Sequence, residues 1–199
     1  MIMKRICVFC GSSPGADPAY TKAAEKLGRV LAKKKITLVY GGAKVGLMGH
    51  IAKSVLDAGG SVTGVIPKML YEKEVAYTEI SDLRIVGSMH ERKALMAELS
   101  DGFIAMPGGL GTVEEFFEVL TWGQLDLHKN PCGLLNVSGY FDRLIGFIDH
   151  IADQKFIDSE HRGMLLVDKD PLSLLDKFEK YTPPDIDKAS WALKLKNNI

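Results

Sequence analysis

The sequence predicts an α/β protein: one domain built on a doubly wound parallel sheet with helices on both faces. Short apolar runs alternate with helical patterns from end to end of the 199 residues, the order that generates right-handed strand–helix–strand crossovers. Those runs are apolar throughout rather than at every second position, as strands covered on both faces must be. Three glycine-rich segments follow such runs, and the carboxyl ends of parallel strands are where such sheets hold ligands.

The elements follow in order. Arg5–Phe9 is the first strand, leaving through Cys10-Gly11-Ser12-Ser13 into a helix over Ala19–Lys34. The strand Thr37–Tyr40 runs into Gly41-Gly42-Ala43-Lys44-Val45-Gly46 and a helix over Leu47–Ala58. After the strand Ser61–Ile66, the stretch Pro67 to Ile80 has no clean period; with Glu72, Lys73 and Glu74 it reads as a loop at the sheet's carboxyl edge. The strand Leu83–Val86 leads to Ser88 and Glu91, spaced as a capping box that opens a helix over His90–Ser100. The strand Gly102–Met106 enters Pro107-Gly108-Gly109-Leu110-Gly111-Thr112, followed by a helix over Val113–Leu127. Strands Cys132–Val137 and Met164–Val167 alternate with helices Phe141–Gln154 and Pro171–Tyr181. Pro183-Pro184 stops the last helix, so the domain spans 1–182 and residues 183–199 form a tail. Trp191, Leu193 and Leu195 give that tail something to pack with.

The totals exclude several classes. Lys+Arg and Asp+Glu are both 25, a formal net charge of zero, which argues against broad electrostatic binding to nucleic acid or an anionic membrane. No apolar run approaches the roughly 18–20 residues of a membrane helix. Met1 to Arg5 runs straight into a strand with no secretory signal pattern, so a cytoplasmic location is expected. Three cysteines, Cys7, Cys10 and Cys132, make no disulfide framework. Cys7-x-x-Cys10 has no second pair or nearby histidines to complete a metal site, and both thiols read as small buried hydrophobes. His50, His128, His150 and His161 have no ligand spacing, and His90 beside a cap reads as structural. No metal is expected. Without a Gly-x-Ser-x-Gly elbow, no serine nucleophile is expected either.

The most informative segment is Pro107 to Glu115. A glycine turn between a strand and a helix N-terminus presents bare N–H groups and the positive end of a helix dipole to an anion. Neither a Gly-x-Gly-x-x-Gly after the first strand nor a Gly-Lys-Ser/Thr ending is present, so the ligand indicated is a mononucleotide or sugar phosphate. Ser13 and Gly42, on the other two glycine-rich segments, are further candidate phosphate or ribose contacts. Thr112 and Glu115 fit a second capping box, with Thr112 as N-cap; equally, Thr112 can hold phosphate while Glu115 faces substrate. Residue types do not choose between these. Arg92 and Lys93 sit near a helix N-terminus, where cations are unfavourable by a few tenths of a kcal/mol. They are either a solvated face or a site for an anionic partner, which arginine's planar fork suits. Phe116, Phe117, Val119, Leu120, Trp122, Leu125 and Leu127 surround their helix rather than forming one stripe. The sheet covers only one side, so a homodimer is expected to cover the other.

These residues resemble a known family. Pro107-Gly-Gly-x-Gly-Thr-x-x-Glu115, preceded by Met89-His90-Glu91-Arg92-Lys93, is similar to the Lonely guy (LOG) family. The likeness extends through Cys7–Ser13, Tyr40-Gly41-Gly42, Gly46–Gly49, Gly64–Lys68, Thr121-Trp122 and Gly133–Val137, over roughly residues 4 to 180. It implies a Rossmann-like homodimer, free of cofactor, that hydrolyses the N-glycosidic bond of a purine or cytokinin nucleoside 5′-monophosphate to free base and ribose 5-phosphate. On this chain it implies Arg92 and Glu115 as the catalytic pair. Gly108, Gly109, Gly111 and Thr112 would hold the phosphate; Glu74, Lys93 and Thr121 would line the pocket. The competing expectation is a non-catalytic module that binds a purine nucleotide as a signal. Members are often labelled lysine decarboxylase-like, but no pyridoxal-phosphate site is suggested by the residues.

Overall fold

A computed structural model describes residues 3–73, 76–80 and 82–184. Among them lies one seven-stranded, all-parallel sheet in the order β4-β3-β2-β1-β5-β6-β7. The strands are β1 (Arg5–Phe9), β2 (Thr37–Tyr40), β3 (Val62–Pro67), β4 (Asp82–Val86), β5 (Phe103–Ala105), β6 (Cys132–Leu135) and β7 (Leu165–Asp168). The helices are α1 (Pro18–Lys33), α2 (Gly46–Asp57), α3 (Lys68–Tyr71), α4 (Met89–Glu98), α5 (Leu110–Gln124), α6 (Asp142–Asp153), α7 (Ser159–Gly163) and α8 (Pro171–Glu179). All seven expected strands and six expected helices are present, with the doubly wound topology.

The core explains why the central strands are apolar at almost every position, whereas the edge strand β4, with Asp82 and Arg84, is only partly covered. Successive strand residues point to opposite faces, and helices cover each. Ile6, Val8, Leu38 and Ile104 pack with Leu27 and Leu31 of α1, Ile51 and Val55 of α2, and Leu174 and Phe178 of α8. Their neighbours Cys7, Phe9, Val39 and Phe103 pack on the other face with Met96 of α4, Phe116, Val119 and Leu120 of α5, and Ile148 of α6. Burying each such side chain contributes about 1.5–3 kcal/mol. Local signals start the helices: Asp17 accepts from the Ala19 N–H at 2.8 Å ahead of Pro18, and Asp170 accepts from Leu172 and Ser173 ahead of Pro171.

Two differences from expectation concern the 67–80 stretch and α5. Part of the expected loop is the single turn α3, and Ala76 bridges back to Ala43 while the Tyr77 N–H donates to the Gly42 carbonyl at 2.8 Å. One turn is too short to show a period, which is also why α7 was not expected. Helix α5 begins at Leu110 with Gly109 as N-cap and no side-chain cap, so the expected box with Thr112 as N-cap does not form. Thr112 lies buried inside the first turn instead. Among the described residues no helix is long and apolar enough to cross a membrane. Cys7, Cys10 and Cys132 are buried free thiols. Trp191, Leu193, Leu195 and all but the first two residues of the expected tail fall outside the described residues.

Candidate active site

The chain runs outward from β1 through β4, then returns to build β5 to β7 on the other side of β1. The β1–β5 junction is therefore the switch point, where ligand crevices open in such sheets. A cavity of about 490 Å³ opens there. Its floor is Cys10, Gly11 and Ser12 after β1 and Gly41 after β2; the α5 N-terminus supplies Gly109 to Thr112, Glu114 and Glu115. Val45, Met48, Ile66, Leu70 and Met89 give it an apolar wall. Burial holds the Cys10 thiol far above its usual range, with the nearby Glu115 carboxylate adding to the effect, so it stays neutral.

Arg92 lies at the centre. The Ser88 hydroxyl accepts from the Glu91 N–H at 3.1 Å, and the Glu91 carboxylate accepts from the Gly87 N–H at 2.8 Å, so this capping box forms as expected. It opens α4 beneath the sheet edge and turns Arg92, one turn in, inward. Arg92 is 8% exposed, not a solvated face. Its Nε–H donates to the Val65 carbonyl at 3.1 Å, and its Nη1–H donates to Glu115 Oε1 at 2.8 Å. The guanidinium lies across Gly41, where any Cβ would overlap it. Gly41 of the Gly-Gly pair after β2 makes that approach, while Gly42, a candidate phosphate or ribose contact from sequence, has a left-handed φ of 77° and does not line this cavity.

Glu115 comes from α5, a turn and a half in, and is paired across the cavity floor rather than used as a cap. Burial raises its pKa above 4.5, with Arg92 opposing the rise. Desolvation is the larger effect, so the carboxylate is stabilised by its partner yet poised above the ordinary range. Lys93, next to Arg92, does not line the cavity. It donates to Glu114 at 2.6 Å and pairs with Glu118 at 3.2 Å, pinning α4 to α5, and those bonds raise its pKa.

The phosphate turn has two kinds of glycine. At Gly108 a Cβ would overlap Thr112 Oγ1 and crowd the Gly11 N–H, so the fold itself requires glycine there. Gly109 and Gly111 are different: a Cβ at either meets nothing within 4 Å, and neither has a left-handed φ. No contact of this chain demands them. What they leave is bare backbone beside the first, unpaired N–H groups of an uncapped helix, the arrangement that admits an anion closely.

The structure thus brings together Arg92, Gly109, Gly111, Thr112 and Glu115. Gly108 and Ser13 border a smaller adjoining cavity of about 210 Å³. Thr121 is exposed farther along α5 and lines neither cavity. Glu74 falls outside the described residues. Among the described residues no group of His, Cys, Asp or Glu is placed to hold a metal.

Residues 48–178 match the family model described as "Possible lysine decarboxylase". The cytokinin riboside 5′-monophosphate phosphoribohydrolase of Rhodococcoides fascians is 51% identical over 168 residues, 84% of this chain and 85% of that one. The chain belongs to the LOG family. A LOG protein of Arabidopsis thaliana named for the same activity is 48% identical over 180 residues, 90% of this chain and 83% of that one. Among solved structures, the molybdenum cofactor binding protein of Rippkaea orientalis superposes with a TM-score of 0.67 at 22% identity, covering 88% of this chain and 95% of that one. That is a likeness of fold alone. The resemblance seen in the 107–115 and 89–93 segments of this LOG chain is therefore a family membership, and both segments meet in one cavity.

Proposed function

We propose that this LOG chain hydrolyses the N-glycosidic bond of a purine or cytokinin nucleoside 5′-monophosphate, giving free base and ribose 5-phosphate. The observation that carries this is the buried Arg92–Glu115 pair beside the uncapped N-terminus of α5. The α5 N–H groups and Thr112 would take the 5′-phosphate, placing the ribose over the pair. As the C1′–N bond breaks, its electron pair leaves on the base and C1′ gains oxocarbenium character. The Glu115 carboxylate stabilises that charge and orients the water that adds to C1′, and the proton this water loses goes to the departing base. Arg92 holds the carboxylate in place and anchors the sugar phosphate, so remote binding energy orients the reacting bond. The apolar wall of Val45, Met48, Leu70 and Met89 suits a base bearing an apolar substituent. Nucleotide binding alone needs no buried carboxylate, so the enzyme is preferred to a signalling module. Relatives named for this activity support the reading.

The test is a panel of adenosine, AMP, ADP and ATP with isopentenyladenosine and its monophosphate, assayed for released base. Charge-assisted hydrogen bonds are worth about 1.5–3 kcal/mol each, so two or three to the phosphate predict a preference for monophosphate over nucleoside of at least about 10²-fold in kcat/KM. Equal cleavage of adenosine and AMP would overturn phosphate recognition, and no base release from any monophosphate would overturn the hydrolase.

We also infer a cytoplasmic homodimer. Three free thiols suit a reducing compartment. Leu110 at the cavity mouth is 90% exposed, Leu125 52% and Leu127 69%, while Phe117 and Trp122 are half-buried on α5. Helix α5 stops at Gln124, and Leu125 and Leu127 extend its apolar surface past that end. A second copy over this surface would cover them and bring Thr121 toward a cavity. Light scattering should show a dimer at micromolar concentration, and Trp122→Glu should split it by burying an unpaired charge. A monomeric parent protein would overturn the inference.

A further inference from the structure

The smaller cavity beside the phosphate turn is walled by two aromatic rings, Tyr20 and Tyr140, which meet edge to face at 5.5 Å. Tyr140 also reaches the turn itself: its hydroxyl donates to the Gly108 carbonyl at 2.5 Å. Three consecutive carbonyls of the turn are held. That of Pro107 accepts from the Gly11 N–H at 3.1 Å, and that of Gly109 accepts from Val113 within α5 at 3.2 Å. Both are backbone bonds. The middle carbonyl, at Gly108, is held by a side chain from 32 residues away.

We propose that Tyr140 is a positioning residue for phosphate recognition, acting through the Gly108–Gly109 peptide. In a planar trans peptide the N–H points opposite to the C=O. Anchoring the Gly108 oxygen on Tyr140 therefore aims the Gly109 N–H away from Tyr140 and stops that peptide from flipping. Gly109 needs such an external hold, because nothing lies within 4 Å of where its Cβ would be and glycine restrains itself poorly. An N–H aimed in advance binds an anion without first ordering the turn.

The tyrosine is itself held firmly. It leaves β6 through a turn in which Ser138 adopts a left-handed φ of 52° and Gly139 one of 72°. A non-glycine residue in that region persists only where its surroundings impose it. Here the buried Asn136 does so: its Oδ1 accepts from the Phe141 N–H at 2.8 Å and its Nδ2–H donates to Asp142 at 2.7 Å. The Tyr140 ring then packs on Phe141 at 4.9 Å as well as on Tyr20. A left-handed turn anchored on the buried Asn136 and Phe141 thus has one output, a hydroxyl placed on the phosphate turn.

This inference rests on the proposed hydrolase for its consequence, but its structural part is separately measurable. In Tyr140→Phe only the hydroxyl is lost. Amide hydrogen exchange at Gly11 and Val113, whose N–H groups are bonded to the turn carbonyls on either side of Gly108, should quicken about 3- to 10-fold in the free protein, the scale of one hydrogen bond. The KM for AMP and the Kd for ribose 5-phosphate should rise together by a similar factor, with kcat changed less than twofold. Tyr20→Phe, which keeps the ring contact and touches no carbonyl of the turn, should alter none of these. Unchanged exchange and unchanged ribose 5-phosphate affinity in Tyr140→Phe would overturn the proposal, as would an equal effect from Tyr20→Phe or a loss confined to kcat. A global rise in exchange would also overturn it, showing a fold role rather than a local tether. Failure of the parent protein to bind ribose 5-phosphate would sink the hydrolase reading alone, leaving the exchange comparison to decide the tether.

Discussion

Glu115→Gln is expected to lower kcat/KM for a nucleoside 5′-monophosphate by about 10³-fold, some 4 kcal/mol of transition-state stabilisation. The amide matches the carboxylate in size but offers no charge to an oxocarbenium ion. Ribose 5-phosphate should still bind within a few-fold of the parent, since the α5 N–H groups are untouched. The pH profile gives a second check. Burial raises the Glu115 pKa above 4.5, so a reaction that needs the carboxylate should fail on acidification at a pH above that value, not at it. That acid limb should vanish from the residual activity of the variant. Retention of more than about a tenth of the activity, a loss under ~1.4 kcal/mol, would reduce Glu115 to an ion-pair partner.

Arg92→Ala is expected to abolish turnover and to destabilise the fold. A cation near a helix N-terminus contributes little by itself, and from sequence alone the stability cost is expected to be small. The structure reverses that expectation. With side chains 10% and 12% exposed, Arg92 and Glu115 form a largely buried pair, and removing one partner leaves a charge without compensation. The cost should be about 3 kcal/mol, the lower end for such pairs, read from urea unfolding. Its sign with pH follows from Glu115. Without Arg92 the folded-state pKa of Glu115 lies still further above the unfolded value, so the penalty is full at neutral pH. It shrinks as pH falls through that raised pKa, because the protonated acid tolerates burial. Adding Glu115→Gln to Arg92→Ala should restore much of the stability and none of the activity. A double variant no more stable than Arg92→Ala would show that the loss comes from the contacts with Val65 and Gly41 instead.

The sheet and its helices were legible because the signals that build them are local. A strand covered on both faces must be apolar along its buried length, and Ile6–Phe9, Leu38–Tyr40 and Cys132–Leu135 declare it in three or four residues. Ser88 with Glu91 marks one helix start through hydrogen bonds closed within one turn, and Pro107 to Thr112 marks another as a glycine turn after an apolar run. Where a local rule had two outcomes, only packing chose. Thr112 with Glu115 satisfied the spacing of a capping box, but α5 starts earlier at Leu110 and its N-terminal N–H groups stay uncapped. Glu115 is thereby released to meet Arg92, 23 positions away in sequence. Arg92 and Lys93 are adjacent and alike in charge, yet one turns under Gly41 into the cavity and the other out to Glu114 and Glu118. Tyr140 carried no motif, and its place on Gly108 depends on β6 lying beside β5. The sequence by itself determined which segments become strands, helices and anion-binding turns, since hydrophobic period and backbone capping act over a few residues. Which charges pair, which glycines yield to a side chain and which tyrosine reaches the turn were decided by tertiary structure, because strand order alone sets which distant segments come within hydrogen-bond reach.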